Sequence, residues 1–133
     1  MLRSVTMLRI LILAHLVWTF LLTPAALEPR PFSSINPIGW LSLVLVFTTV
    51  GLDIAAFVLV GRNPRQAALL AAVGPLLFVG PYVGDLLGLF SSIRAPFQIV
   101  AMETIAFVTQ LAIGYVALGI RGAAGREAAG PQA

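Results

Sequence analysis

Three ionisable side chains, His15, Asp53 and Glu103, lie within strongly apolar stretches of this sequence. A charged group at the centre of a membrane-spanning helix costs about 2.5 to 3.5 kcal/mol on insertion scales, so such groups usually face a protein interior and have partners. An apolar medium favours the neutral form of a carboxyl group, and histidine as a residue type titrates near neutral pH. Because a neutral acid beside a base can transfer a proton, we interpret His15, Asp53 and Glu103 as candidate catalytic residues.

Other polar side chains recur at helical spacing beside these three. They lie four or seven residues from a candidate catalytic residue: Thr19, Thr49 and Gln110. Because residues four or seven apart share one face of a helix, three of the predicted helices each carry a polar stripe. We predict that the stripes face each other and form an internal polar site. Its candidate ligand-binding residues are Gln110, Gln98, Thr49 and Thr19.

The same side chains can instead have a purely structural role. Hydrogen bonds among His15, Asp53 and Gln110 would fix how the helices pack, and each would contribute about 0.6 to 2 kcal/mol. We favour a functional role for the set, because apolar residues would hold helices together without the insertion cost. A lone histidine gives no metal-binding spacing such as H-E-x-x-H, and no Gly-x-Ser-x-Gly motif of a serine hydrolase is present. We therefore predict neither a metal nor a cofactor.

The composition indicates what kind of helices must position these residues. Of the 133 residues, 59% are hydrophobic and only 10% are charged, whereas soluble domains carry about 25% charged residues. Four apolar runs are long enough to cross a bilayer, which takes about 20 residues. They cover residues 10–27, 40–61, 67–90 and 95–120. The predicted fold is an all-α membrane protein with four transmembrane helices in an antiparallel bundle, which forms one domain over residues 1–122.

The positions of the arginines predict the orientation of this bundle. Two arginines fall on one side of the predicted membrane, Arg30 and Arg94, and six fall on the other: Arg3, Arg9, Arg62, Arg65, Arg121 and Arg126. By the positive-inside rule, both termini are cytoplasmic, as an even number of spans also requires. Residues 123–133 are predicted to form a flexible cytoplasmic tail. The predicted location is the cell membrane, with several passes through it.

The first apolar run has an alternative interpretation. A basic start, an apolar middle and small residues at its end resemble a cleavable signal peptide. Cleavage would leave three spans and would place the new N-terminus outside the cell. His15 and Trp18 within the run favour a retained helix, and the choice stays open at this stage.

The third run contains three glycines at a spacing of four residues, Gly80, Gly84 and Gly88. Small residues at this spacing let helix backbones approach closely in lipid, so we predict that these glycines form a helix-packing groove, within the chain or between two copies. Asp85 lies close to the outer end of the run, and we expect it to pair with Arg94 across the following turn.

Three classes of function remain open. The favoured one is a bundle whose internal polar site binds or chemically transforms a lipophilic small molecule, and whether it is an enzyme is undecided. A proton-coupled transporter acting as a homodimer and an accessory subunit of a larger membrane complex are the alternatives. The size and four-span layout resemble the small multidrug transporters, but that family has its key glutamate in the first helix, where this chain has His15. The expected partners are therefore the lipid bilayer and the lipophilic molecule. Nucleic acid is not expected, because the arginines are dispersed.

Overall fold

The structure is a computed structural model that describes residues 2–129, and its described part is helical throughout apart from short connections. The helices are α1 (Leu2–Leu27), α2 (Pro37–Leu59), α3 (Pro64–Leu86) and α4 (Phe97–Ala129). A single 3-10 turn, Phe32–Ser34, lies between α1 and α2. All four helices are long and apolar enough to cross a membrane, which supports a multi-pass membrane protein.

Asparagine caps set the beginnings of two helices. The Asn36 side chain accepts a hydrogen bond from the backbone N–H of Gly39, and Asn63 accepts one from that of Gln66. Each cap satisfies a backbone donor that has no partner within the helix. A proline follows each asparagine at the first helical position, where its missing N–H costs nothing.

Helix α3 is at the centre of the packing. It contacts α2 and α4 along much of its length, and α1 packs mainly against α4, whereas α1 and α2 touch each other sparsely. Side-chain hydrogen bonds reinforce two of the contacts with α4. The Trp18 indole N–H of α1 donates to the Met102 carbonyl, and the Tyr82 hydroxyl of α3 lies 3.1 Å from the Thr104 hydroxyl.

Two apolar clusters form the core, one towards each end of the bundle. The first combines the beginnings of α1 and α3 with the ends of α2 and α4, and includes Leu8, Val60, Ala68 and Ile120. The second includes Leu22, Phe78, Ile99 and Ala106. Large apolar side chains also cover the outside, where Phe20 is 78% exposed. Only 22% to 44% of each apolar window is buried by the protein, so lipid is the natural solvent for the remainder.

The two connections at one end of the bundle are joined to each other. The backbone N–H of Asn36 donates to the Phe90 carbonyl, and the Asn36 side chain donates to the Leu89 carbonyl. The Ser92 N–H donates to the Ser34 carbonyl, and an isolated bridge pairs Ile35 with Ser91. The α1–α2 and α3–α4 connections therefore close this end together.

The helix bounds differ from the predicted spans where helices extend beyond the apolar runs or end early. Helix α1 begins at Leu2, and α4 continues to Ala129. The described part of the predicted flexible tail, residues 123–129, is therefore helical, and residues 130–133 lie outside the described part. Helix α3 ends at Leu86 instead of residue 90, because Gly88 adopts a positive φ of 70° that leaves the helical path.

The three glycines of the predicted groove occupy different environments. Gly80 is exposed, and a Cβ built there meets nothing within 4 Å. Gly84 is buried against the Phe90 ring, and Gly88 lies beyond the end of α3. Within this chain the three glycines do not form one groove, because α3 ends before Gly88 and Phe90 folds back over Gly84.

Candidate functional site

Four polar side chains meet in the interior and form what we call the polar network: His15, Thr19, Asp53 and Gln110. His15 Nδ1 lies 2.7 Å from Asp53 Oδ2, and Gln110 Nε2 donates to the same oxygen at 2.6 Å. The network joins α1, α2 and α4. His15, Asp53 and Gln110 are completely buried, so their hydrogen bonds form without competition from bulk water.

The two nitrogens of the His15 ring meet different oxygen atoms, Asp53 Oδ2 and the Thr19 hydroxyl, and the Gln110 amide nitrogen lies 2.9 Å from Nδ1 and 3.4 Å from Nε2. In the tautomer that carries its proton on Nδ1, Nδ1–H donates to Asp53 Oδ2, since a carboxylate accepts hydrogen bonds. Nε2 is then the accepting nitrogen, and it lies 3.3 Å from the Thr19 hydroxyl. The Phe78 ring meets the His15 ring edge to face at 5.7 Å and shields the imidazole on the α3 side.

Two oxygen atoms of the polar network have no hydrogen-bond donor within the described residues, namely Asp53 Oδ1 and Gln110 Oε1. Gln110 Oε1 lies against α3, where a Cβ built on Gly74 would come within 2.6 Å of it. A larger residue at position 74 would therefore force this amide to shift. Buried acceptors without partners are rare in proteins, so the polar network has unused capacity to accept hydrogen bonds.

A second buried group, which we call the charged cluster, contains Arg30, Asp85 and Glu103. Arg30 Nη1 donates to Asp85 Oδ1 at 2.5 Å, and Arg30 Nη2 lies 3.7 Å from Glu103 Oε1. Glu103 Oε2 is buried without a partner in the described structure. One guanidinium therefore lies between two carboxyl groups, and one buried oxygen of the cluster has no donor within the described residues.

A cavity of about 110 Å³ lies between Thr19 of the polar network and the charged cluster. Its polar lining includes Thr19 of the polar network and all three residues of the charged cluster. Its apolar lining comes from α1, α2 and α3, and includes Leu22, Val46 and Phe78. Ile35, Phe90 and Ser91 of the joined connections line the end of the cavity. An engineered cavity of about 150 Å³ holds a benzene molecule, so this one holds a group slightly smaller than benzene, and the rest of a larger molecule would lie outside it.

The predicted site residues fall into three groups. His15, Asp53, Gln110 and Thr19 meet in the polar network. Glu103 lies elsewhere, in the charged cluster, because its separation of seven positions from Gln110 corresponds to about 10 Å along α4. Thr49 is buried beside the network, but its hydroxyl donates to the Leu45 carbonyl of its own helix, and Gln98 is exposed near the start of α4.

Arg30 and the inward-facing role of Asp85 were absent from the predicted site. The expected pairing of Asp85 with Arg94 is wrong, since Asp85 bonds Arg30 and Arg94 is exposed. Arg30 turns inward because its Nε donates to the Ala26 carbonyl near the end of α1, which directs the guanidinium towards α3. The isolated arginine after the first apolar run is the available signal in the sequence, although the sequence alone indicates only a charge in a loop.

Comparison with known proteins finds no matching family model, no similar curated protein and no similar solved structure. Within residues 2–129, no group of three or more histidine, cysteine, aspartate or glutamate side chains is arranged to hold a metal ion. Function must therefore be argued from the two buried polar groups and the cavity between them.

Proposed function

We propose that this protein binds a lipophilic small molecule by its polar end in the cavity between the polar network and the charged cluster. One observation carries the proposal. The largely apolar cavity has the charged cluster in its wall, and Glu103 Oε2 of that cluster lacks a donor. A buried acceptor without a partner costs about 1 to 3 kcal/mol, and a ligand hydroxyl or amine would offset this cost.

The composition of the lining indicates how such a molecule would bind. Apolar side chains cover most of the cavity, and polar groups converge from α1, α3 and α4. Sites for small molecules commonly combine an apolar lining with a few placed polar groups that fix orientation. The accessory-subunit class predicts that the polar groups satisfy each other and leave no cavity, so this arrangement favours the ligand-binding class.

The sparse contact between two of the cavity-lining helices suggests how the ligand enters. α1 and α2 touch each other sparsely, and residues of both helices line the cavity, among them Thr23 and Leu43. The joined connections cover the end of the cavity, and the first apolar cluster fills the opposite end of the bundle. We infer that the ligand enters sideways from the bilayer, between α1 and α2.

The proposal includes the finer topology predicted from the sequence. The four helices run antiparallel, both termini are cytoplasmic, and the cavity lies in the outer half of the cell membrane. The first apolar cluster supports this arrangement, because it combines the beginnings of α1 and α3 with the ends of α2 and α4.

Native mass spectrometry of the purified protein tests ligand binding directly. We expect a small lipophilic molecule to copurify with the wild-type protein. Ala26→Phe places a ring in the cavity, because Ala26 lines it, and should abolish retention. Ala14→Phe is the matched control, since Ala14 is exposed on the same helix. Glu103→Gln keeps the shape of the side chain but replaces one acceptor oxygen with an amide donor, and should weaken retention.

The outcomes separate a cavity ligand from molecules held by the detergent. Loss of the molecule from Ala26→Phe but not from Ala14→Phe supports the proposal. Equal retention by wild type and both variants would show that the molecule lies outside the cavity. A wild-type protein free of any small molecule, and not stabilised by added alkyl alcohols or amines, would contradict the proposal.

A further inference from the structure

The hydroxyl group of Thr19 has a different partner from that of other helical threonines in this chain. Several of them donate to the backbone carbonyl four residues earlier, namely Thr23, Thr48, Thr49, Thr104 and Thr109. Such bonds are the ordinary local choice of threonine in a helix. The Thr19 hydroxyl instead lies 3.3 Å from Nε2 of His15, one turn earlier.

This hydroxyl is the first member of a chain of three groups. The Thr19 oxygen faces Nε2 of His15, and Nδ1 of the same ring lies 2.7 Å from Asp53 Oδ2. A hydroxyl, an imidazole and a carboxylate in this order form the arrangement that activates a hydroxyl as a nucleophile on several unrelated folds. The Gln110 amide donates to the same carboxylate oxygen, which holds Asp53 in place.

The chain of three groups reaches the cavity through Thr19. Thr19 lines the cavity, whereas His15 and Asp53 are completely buried behind it. Ser42 of α2 lines the same cavity and provides a second hydroxyl, which can donate to the oxygen of a bound carbonyl group. A molecule in the cavity would therefore meet an activated hydroxyl and a hydrogen-bond donor.

We propose that Thr19 is a nucleophile that accepts the acyl group of a lipophilic ester. This inference rests on the proposed function, because the ester must first bind in the cavity. The Thr19 oxygen forms a bond to the carbonyl carbon, and its proton moves to His15 Nε2. The bond from that carbon to the ester oxygen breaks, and the departing alkoxide takes the proton from His15 and leaves as an alcohol.

Water completes the cycle without any further reagent. A water molecule that enters the vacated cavity attacks the acyl carbon and gives a proton to His15. The bond to Thr19 breaks, Thr19 recovers a proton from His15, and a carboxylic acid leaves. Asp53 keeps its carboxylate throughout and acts as a positioning residue, which holds the imidazole with Nε2 towards Thr19.

A covalent probe tests this assignment. Purified protein in detergent is treated with hexyl fluorophosphonate, which phosphonylates an activated hydroxyl with loss of fluoride, and the labelled peptide is identified by mass spectrometry. We expect labelling at Thr19 in the wild type and in Thr19→Ser, and none in Thr19→Val. Thr48→Val is the matched control and should label normally, because Thr48 is exposed outside the cavity lining and its hydroxyl bonds a backbone carbonyl.

The dependence on His15 provides a second measurement. His15→Gln removes the base, and labelling should slow by about 100-fold or more, the range for loss of a general base. The rate of nitrophenol release from 4-nitrophenyl hexanoate should rank the variants in the same order as the rate of labelling does. If His15→Gln does not fold, the comparison of Thr19→Val, Thr19→Ser and Thr48→Val still decides whether Thr19 is the labelled residue.

Reversible binding separates failure of this inference from failure of the proposed function. N-methylhexanamide resembles the ester but resists cleavage, and it should raise the unfolding temperature of the wild type and not of Ala26→Phe. Stabilisation by the amide without labelling at Thr19 would overturn the acyl-transfer step and leave ligand binding intact. Absence of both would overturn the two proposals together, and equal labelling of Thr19→Val would overturn the assignment of Thr19.

Discussion

At the scale of single residues, Arg30 has two acidic neighbours and little solvent. Its side chain is 8% exposed, bonds Asp85 directly and lies within ion-pair distance of Glu103. Water screens such a group weakly, so removal of the cation would leave two carboxyl groups without compensation. Breaking the charged cluster should therefore lower the free energy of unfolding by more than its position near the end of the bundle suggests.

We expect Arg30→Met to lower the free energy of unfolding by about 3 to 5 kcal/mol, the usual cost of breaking a buried ion pair. Methionine keeps most of the apolar length but provides no charge. Unfolding of the purified protein by a denaturing detergent, followed by circular dichroism, gives the measurement. In an Asp85→Asn background the same change should cost at least about 1 kcal/mol less, because paired residues couple.

Arg94→Met is the matched control for this prediction. Arg94 is exposed, so its replacement should change stability by no more than about 0.5 kcal/mol. A larger effect for Arg94 than for Arg30 would contradict the pairing and would restore the partner expected from the sequence.

Helical spacing predicted part of the site and missed the rest for a physical reason. The polar stripes place His15, Asp53 and Gln110 on faces that do meet. Spacing describes one helix at a time and does not give the height of one helix against another, so it could not separate Glu103 from the other candidates. The inward turn of Arg30 depends on the Ala26 carbonyl and on Asp85, 55 residues later, and no local pattern contains that information.

At the scale of helices, α3 and α4 approach closely at two places where a glycine of one helix faces a larger side chain of the other. Gly74 of α3 faces the Gln110 amide, and Gly114 of α4 faces Pro75, which a built Cβ would approach to 2.9 Å. These two contacts hold Gln110 at the height of His15 and Asp53. The close approach of α3 and α4 is therefore a condition for the polar network to form.

Gly74→Ala should destabilise the bundle by about 1 to 3 kcal/mol, because the new methyl group overlaps Gln110 Oε1 and forces the amide to move. The same detergent-unfolding assay measures the change. Gly51→Ala should be neutral or stabilising, because nothing lies within 4 Å of a Cβ at that exposed position and alanine favours helix more than glycine does. If both substitutions had the same effect, the contact between Gly74 and Gln110 would not control packing.

The number of helices and most of their extent follow from hydropathy, whereas the role of each glycine does not. Four apolar runs separated by prolines and polar turns predict four spans, and the structure has four such helices. A spacing of four residues predicts a shared face only while the helix continues. Gly88 lies outside α3, so the glycines that let helices approach are Gly74 and Gly114, which lack that spacing.

At the scale of the whole molecule, the orientation in the membrane can be measured with little change to the protein. The sequence contains no cysteine, so one introduced thiol reports on one position. Ser92 and Arg62 are exposed in the connections that follow and precede α3 respectively. The proposed orientation places these two positions on opposite sides of the membrane.

We expect a membrane-impermeant maleimide to label Ser92→Cys in intact cells and to label Arg62→Cys only after the membrane is opened. The excess of arginine on the side of Arg62 is the physical reason, because basic residues are retained on the cytoplasmic side. Wild-type protein, which has no thiol, measures background labelling. The reverse pattern would show that the bundle is inverted, and labelling of both variants in intact cells would mean that Ser92 and Arg62 lie on the same side.

Because the proposed entry lies between the sparsely touching helices α1 and α2, the ligand concentration that matters is the one within the bilayer. A ligand that enters between these helices comes from a thin two-dimensional reservoir, and its occupancy depends on its mole fraction in the lipid. Molecules with weak intrinsic affinity can then fill the cavity if they partition strongly, and added lipid dilutes them at constant total amount. Apparent affinities measured at different lipid-to-protein ratios should therefore differ, and should agree once expressed per lipid molecule.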